Sequence, residues 1–161
     1  MNIKDIKKHF PIFEQKINGK SLVYLDSANS SQKPKKVIDS LNKFYSEDFA
    51  NVGRGIYTLA ANASEQYENT RLALKKFINA SDESEIIFTK NSTESLNLVA
   101  SCYGSKFINE GDEIISTELE HHANFVPWHF LRKKKGAIIK FQEIDDKGNL
   151  KIEDLEKLIT K

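Results

Sequence analysis

Two short segments carry the side chains best suited to chemistry. Lys90-Asn-Ser-Thr93 sets two hydroxyls directly after an apolar run, with Glu94 next. If that run is a strand and the following residues open a helix, the first helical N–H groups point outward without partners, which suits an anion such as a phosphate. The same residues also read as a plain helix start, with Asn91 as N-cap and Glu94 three positions on, and local pattern alone favours that structural reading. Thr117-Glu-Leu-Glu-His-His122 follows a second apolar run and gathers two imidazoles and two carboxylates, with His129 close behind. A metal centre is one reading, but adjacent histidines point apart, and neither an HExxH spacing nor a cysteine partner is present. Histidines facing solvent or a cofactor fit better, so no metal is expected.

Three further features are weaker. Cys102 falls on a helical stretch away from any strand end and reads as a packed thiol, not a nucleophile. Asn51-Val-Gly-Arg-Gly55 is a loop whose two glycines permit close backbone approach, and Arg54 there could meet an anion, with an ordinary turn as the alternative. Lys133-Lys-Lys135 reads as a solvated helix end.

The elements that must position these residues follow from patterning. Ile3 to Phe10 reads as a short helix stopped by Pro11, followed by a turn at Asn18-Gly19 and a strand at Leu22–Leu25. Pro34 opens a helix with Ile38, Leu41 and Tyr45 on one face, and a second helix covers about 63–79 with Tyr67, Leu74 and Ile78 on its face. From Ile86 strands and helices alternate. Strands are expected at 86–89, 113–116 and 137–141. Helices are expected with Leu96, Val99, Ala100 and Tyr103 on one face, over about 124–135 up to Gly136, and around Ile152, Leu155 and Ile159. Such alternation builds an α/β fold of parallel strands joined by helical crossovers, in which ligands sit beyond the carboxyl ends of the strands.

Composition bounds the rest. The 161 residues suit one domain of ordinary size. Lys plus Arg number 24 against 23 acidic residues, so the formal charge of +1 leaves no electrostatic footprint for nucleic acid or an anionic membrane. A single cysteine excludes an internal disulfide and a cysteine-built zinc site. No apolar run nears the ~20 residues of a membrane span, and the start has no secretory core. A cytoplasmic protein is expected.

At the same residues the chain resembles a known family. Tyr24-Leu-Asp-Ser-Ala28 with Ser31-Gln-Lys-Pro34 is similar to the YLD-x-A-A-[ST]-x-QKP opening of the Suf-type (group II) cysteine desulfurases, of the class V aminotransferase family. Ala50-Asn-Val-Gly-Arg-Gly-Ile-Tyr-Thr-Leu59 resembles their A-N-V-H-R-G-x-H-T-L loop. The segments 87–94 and 97–100 resemble F-[TV]-[RK]-G-T-T-E-x-[IL]-N-L-V-A, and 120–128 resembles E-H-H-A-N-[IL]-V-P-W. The resemblance implies the fold-type I class that binds pyridoxal 5'-phosphate, here as the first part of its large domain over 21–161, with 1–20 on the small-domain side. It implies a homodimer that takes sulfur from L-cysteine, leaves L-alanine, and passes a persulfide to an acceptor protein for iron–sulfur cluster assembly. By position, Ser92 and Thr93 would cradle the cofactor phosphate. His121 would lie against the pyridine ring and assist proton transfer, and Ser27, Ala28 and Arg54 would line the substrate side.

The chain departs from that pattern in several places. Gly53 and Tyr57 stand where the family loop has histidines, Asn29 replaces an alanine, and Asn91 replaces the glycine of the phosphate turn, adding a side chain where backbone must approach the phosphate. Family chains are more than twice this long. The lysine of the S-x-H-K segment, the persulfide cysteine, the aspartate at the pyridine nitrogen and the carboxylate-binding arginine have no counterpart among these residues. Read this way, the chain is truncated, pairs its strands with strands outside itself, binds the cofactor weakly or not at all, and is inactive alone. It is then a disrupted-gene product, a half completed in trans by a C-terminal polypeptide, or a non-catalytic protein that docks on a full-length relative.

Overall fold

Asn18 and Gly19 both adopt positive φ, 52° and 75°, the geometry of a two-residue turn that matches strand twist. They join β1 (Lys16–Ile17) to β2 (Lys20–Ser21) as a short antiparallel hairpin, Ile17 opposite Lys20. The computed structural model describes residues 2–160, in two compact units that divide after Ile86.

The first unit is mostly helical. α1 (Ile3–Lys7) is capped by the Asn2 side chain and is shorter than expected, because a separate 3-10 turn, Pro11–Glu14, follows. The run Leu22–Leu25 is not a strand. Only Leu22 extends the hairpin, through its N–H to the Gln15 carbonyl, and Leu25 is 91% exposed. α2 (Lys35–Lys43) starts after Pro34 and runs into a wider π turn, Phe44–Asp48, which carries Tyr45 and groups it with Phe44 and Phe49. α3 (Thr58–Ile78) begins five residues earlier than the apolar pattern suggested. Its buried positions are Ala60 and Ala63, not the expected Tyr67, Leu74 and Ile78, which are exposed. Small residues win there because a backbone lies against them: a Cβ on Gly55 would stand 2.3 Å from the Ala60 Cβ. Asn79 ends α3 in the left-handed region.

The second unit holds the α/β arrangement. α4 (Ser92–Val99) continues through a π turn, Ala100–Gly104, into α5 (Ser105–Phe107). β3 (Glu113–Thr117) pairs in parallel with β4 (Ile138–Gln142), Glu113 opposite Ile138 and Thr117 opposite Gln142. The connection between them is α6 (Val126–Lys135), which packs on β4, and α7 (Ile152–Leu158) packs on β4 as well. α6 stops at Gly136, whose φ of 76° and a Cβ space only 2.8 Å from Glu110 Cγ both demand glycine. The expected strand at 86–89 does not form. Among the described residues the two sheets are β1–β2 and β3–β4, and the Ile86 carbonyl takes the Arg71 guanidinium instead of a ladder partner.

Packing corrects the expected helix faces too. On the α4–α5 stretch Ala100 and Gly104 are buried, while Val99 and Tyr103 are exposed. Gly104 is where Leu131 of α6 enters: a Cβ there would lie 2.4 Å from Leu131 Cδ1. On α7, Leu155 and Leu158 turn inward, and Ile152 and Ile159 do not. Cys102 is exposed rather than packed, because the π turn rotates it off the Ala100–Gly104 face. One polar clamp ties the segment after α7 to the sheet. Lys140 Nζ reaches Glu113 Oε1 at 2.6 Å and donates to the Leu158 carbonyl, while Thr160 Oγ1 donates to Glu113 Oε2. The hydrogen bonds from Lys140 and Thr160 hold the Glu113 carboxyl below its ordinary range. Among the described residues, no helix is long and apolar enough to cross a membrane.

Candidate functional site

Asn91 sits in extended backbone, φ −169°, and its Oδ1 accepts the Glu94 N–H at 2.9 Å. The expected capping box is therefore present in shifted form, since Glu94 Oε2 accepts from the Lys90 N–H at 2.6 Å rather than from Asn91. That conformation needs no glycine. Asn91 thus alters the turn by taking up a donor, and not through backbone strain. Below it, the hydroxyls of Ser92 and Thr93 and their own N–H groups take no partner among the described residues, and both side chains are exposed. Two N–H groups, two hydroxyls and the positive end of α4 suit the phosphate end of a cofactor.

The second segment forms the corner between β3 and α6, at the carboxyl end of β3. His121 Nδ1 accepts the Ala123 N–H at 3.1 Å and so caps the 3-10 turn His122–Asn124. Neutral His121 then carries its proton on Nε2. α4 packs against that turn. Three hydrogen bonds among four side chains fasten the corner. Glu120 Oε1 accepts from the Thr117 hydroxyl at 3.3 Å, Glu120 Oε2 accepts from Asn124 Nδ2 at 2.7 Å, and Asn124 Oδ1 accepts from Trp128 Nε1 at 3.0 Å. In the sequence Glu120 was weighed as a metal ligand, and Asn124 and Trp128 entered only as letters of the 120–128 motif, with no role. Their spacing of four residues, which stacks them along one side of a helical path, was the available signal.

A cleft of about 400 Å³ opens beside this corner, lined by Thr117, Glu118, Glu120, His122, Phe125 and Phe141. His122, not His121, lines it. His129 lies behind, its ring against Phe125 and Phe141 and its Nε2 buried without a partner among the described residues. No group of three or more His, Cys, Asp or Glu among the described residues is placed to hold a metal ion. In the first unit, Ser27 and Ala28 lie in an exposed turn held by the Tyr24 hydroxyl on the Ser30 carbonyl. Arg54 is exposed on its loop, next to Gly53, whose φ of 117° places it in glycine-favouring backbone and whose N–H reaches Ser64 Oγ.

Comparison with known proteins matches these elements to one family. A model of the aminotransferase class-V family covers residues 23–161. A probable cysteine desulfurase of Halalkalibacterium halodurans is 46% identical over 160 residues, 99% of this chain but 39% of that protein. The apo structure of a cysteine desulfurase from Thermococcus onnurineus is 39% identical with a TM-score of 0.86, over 98% of this chain and 38% of the other. A more distant solved structure, a C-DES mutant with glycine covalently linked to its PLP cofactor, shares the fold at a TM-score of 0.62 and 22% identity, over 81% of this chain and 33% of the other. This chain spans about two fifths of the relatives it matches. With 139 of its residues inside the family model, the chain belongs to the class-V aminotransferases.

Proposed function

We propose that these residues are the N-terminal part of a Suf-type (group II) cysteine desulfurase, carrying the phosphate end of a pyridoxal 5'-phosphate site. The observation that supports this is the start of α4, where Ser92 and Thr93 offer free N–H and hydroxyl donors on a helix packed against the corner that holds His121. In this reading Ser92 and Thr93 hold the phosphate, His121 lies against the ring with its Nε2–H as a hydrogen-bond donor, and Ser27, Ala28 and Arg54 serve the substrate side. Bound pyridoxal phosphate supplies the electron sink for breaking the C–S bond of L-cysteine. Residues 1–20 belong to the small-domain side and 21–161 to the first part of the large domain. The protein is cytoplasmic.

The 161 residues do not turn over by themselves, because none of their lysines lies in an S-x-H-K context. A C-terminal polypeptide supplies that lysine and the persulfide cysteine, and two subunits completed in this way form the homodimer that hands sulfur to an acceptor. Apolar side chains such as Leu25 and Ile56, more than nine-tenths exposed, fit a chain completed by further polypeptide. One observation favours a second reading, a non-catalytic protein that docks on a full-length relative: Asn91 and Glu94 already occupy part of the phosphate turn.

The test is incubation of the chain with pyridoxal phosphate, borohydride reduction and peptide mapping, with L-cysteine turnover assayed in parallel, alone and with the C-terminal part of a relative. Scattered lysine labelling and no alanine from the chain alone are expected, with turnover restored by the added part. Stoichiometric labelling of one lysine together with turnover by the pure chain would overturn the proposal. Failure of the added part to restore turnover would favour the docking reading.

A further inference from the structure

We propose that Glu120 and Asn124 are positioning residues, whose side chains fix the corner after β3 so that His121 is held in a single tautomer with its proton on Nε2. The inference rests on the proposed role of His121, and its chemistry is local. Among the described residues the His121 ring meets one other side chain, the His122 ring edge-on at 6.2 Å between centroids, which fixes no proton. Among the described residues the one hydrogen bond to its ring is from the Ala123 N–H to Nδ1. That bond depends on the 3-10 path of His122–Asn124, which among the described residues two backbone hydrogen bonds support, Asn124 N–H to His121 O and Phe125 N–H to His122 O.

The remaining restraint comes from the side chains on either side. Glu120 binds one carboxylate oxygen to Thr117 at the end of β3 and the other to Asn124 at the end of the turn. Asn124 in turn accepts from Trp128, a turn into α6. The Thr117 oxygen also accepts the Leu119 N–H at 3.3 Å, which ties the chain entering the corner to the end of β3. Each member is used in a manner its neighbours cannot reverse. Asn124 must donate to Glu120 and accept from Trp128, which an amide does and a carboxylate cannot. Glu120 accepts twice, and glutamine could replace it by accepting from Asn124 while donating to Thr117.

These roles give opposite outcomes for chemically close variants. The readout is the side-chain nitrogen spectrum of His121 in the 161-residue chain without ligand, with far-UV circular dichroism confirming the fold. In Glu120→Ala and Asn124→Asp the Nε2–H to Nδ1–H ratio of His121 should fall about fivefold, the equivalent of losing one ordinary hydrogen bond. Glu120→Gln should keep it. Should Glu120→Ala fail to fold, Trp128→Phe removes only the indole N–H and should lower the ratio in the same direction. An unchanged ratio in folded Asn124→Asp or Trp128→Phe would overturn the inference, as would Glu120→Gln behaving like Glu120→Ala. Because no ligand is added, failure of pyridoxal phosphate to bind would count against the proposed function and leave this result intact.

Discussion

Replacing Asn91 by glycine tests whether the start of α4 is an anion site limited by its own cap. In the native chain the third N–H of the helix, on Glu94, is held by Asn91 Oδ1 at 2.9 Å. A phosphate arriving at Ser92 and Thr93 has two routes. It forgoes the Glu94 donor, losing a hydrogen bond to a charged group of about 1.5–3 kcal/mol. Or it displaces the Asn91 side chain, losing a cap of about 1 kcal/mol. The second route is cheaper and sets the penalty. Asn91→Gly removes it, because the backbone at φ −169° is open to any residue and the N–H is then left to water. A penalty of about 1 kcal/mol is about fivefold in affinity, whereas glycine at an N-cap costs the fold only a few tenths of a kcal/mol.

Phosphorus NMR titration of the 161-residue chain with inorganic phosphate and with pyridoxal phosphate measures this directly. Both ligands should bind about fivefold tighter to Asn91→Gly, by an amount that changes little with salt. Glu94→Gln supplies the contrast. It removes a negative charge from the same helix end, so its gain should shrink as salt screens it. Unchanged or weaker binding by Asn91→Gly would refute the competition argument, and a gain that vanishes with salt would show that the effect was charge and not a freed donor.

Two further outcomes follow from the second unit. Gly104→Ala should gain about 1 kcal/mol of helix propensity and lose about 1–3 kcal/mol to overpacking against Leu131; urea denaturation should therefore show net destabilisation in the native background and a reversal of sign in Leu131→Ala. Glu113 titrates below its ordinary 4.5 in the folded chain, so its contribution is present above that pH and is lost as pH falls through the folded value. The stability difference between the native chain and Glu113→Gln should accordingly close on acidification below 4.5, and a difference that stays constant would remove the Lys140–Thr160 clamp from the account.

The parts legible in the sequence were those set by local chemistry. The Asn91 cap, the Gly136 stop, the Asn18-Gly19 turn and the two strands of the β3–β4 pair depend on residues within a turn of one another, and they stand close to where the pattern put them. The strands read at 22–25 and 86–89 did not form, because apolar runs report what a segment is suited to bury against and say nothing of whether a ladder partner is there. Helix faces failed for a related reason. Periodicity chose large residues such as Tyr67 and Tyr103, while the structure buries Ala60, Ala63, Ala100 and Gly104, where backbones come close enough that only small side chains fit.

The candidate site divides along the same line. The segments that hold Ser92, Thr93 and His121 could be singled out because strand-to-helix junctions concentrate free donors and reactive side chains at known places. What positions them could not, since the Thr117–Glu120–Asn124–Trp128 chain is a set of contacts between residue types that each have commoner uses. Its logic appears only when the corner is seen in three dimensions. One carboxylate then links the end of β3 to the turn before α6, and the imidazole beside it takes the Ala123 N–H on Nδ1. The proposed chemistry needs the Ser92 and Thr93 donors and the His121 imidazole presented together, and these lie on separate elements, α4 and the 120–124 corner, that touch. The hydrogen bonds that hold the corner are thus as much a condition of that chemistry as the donors on the helix.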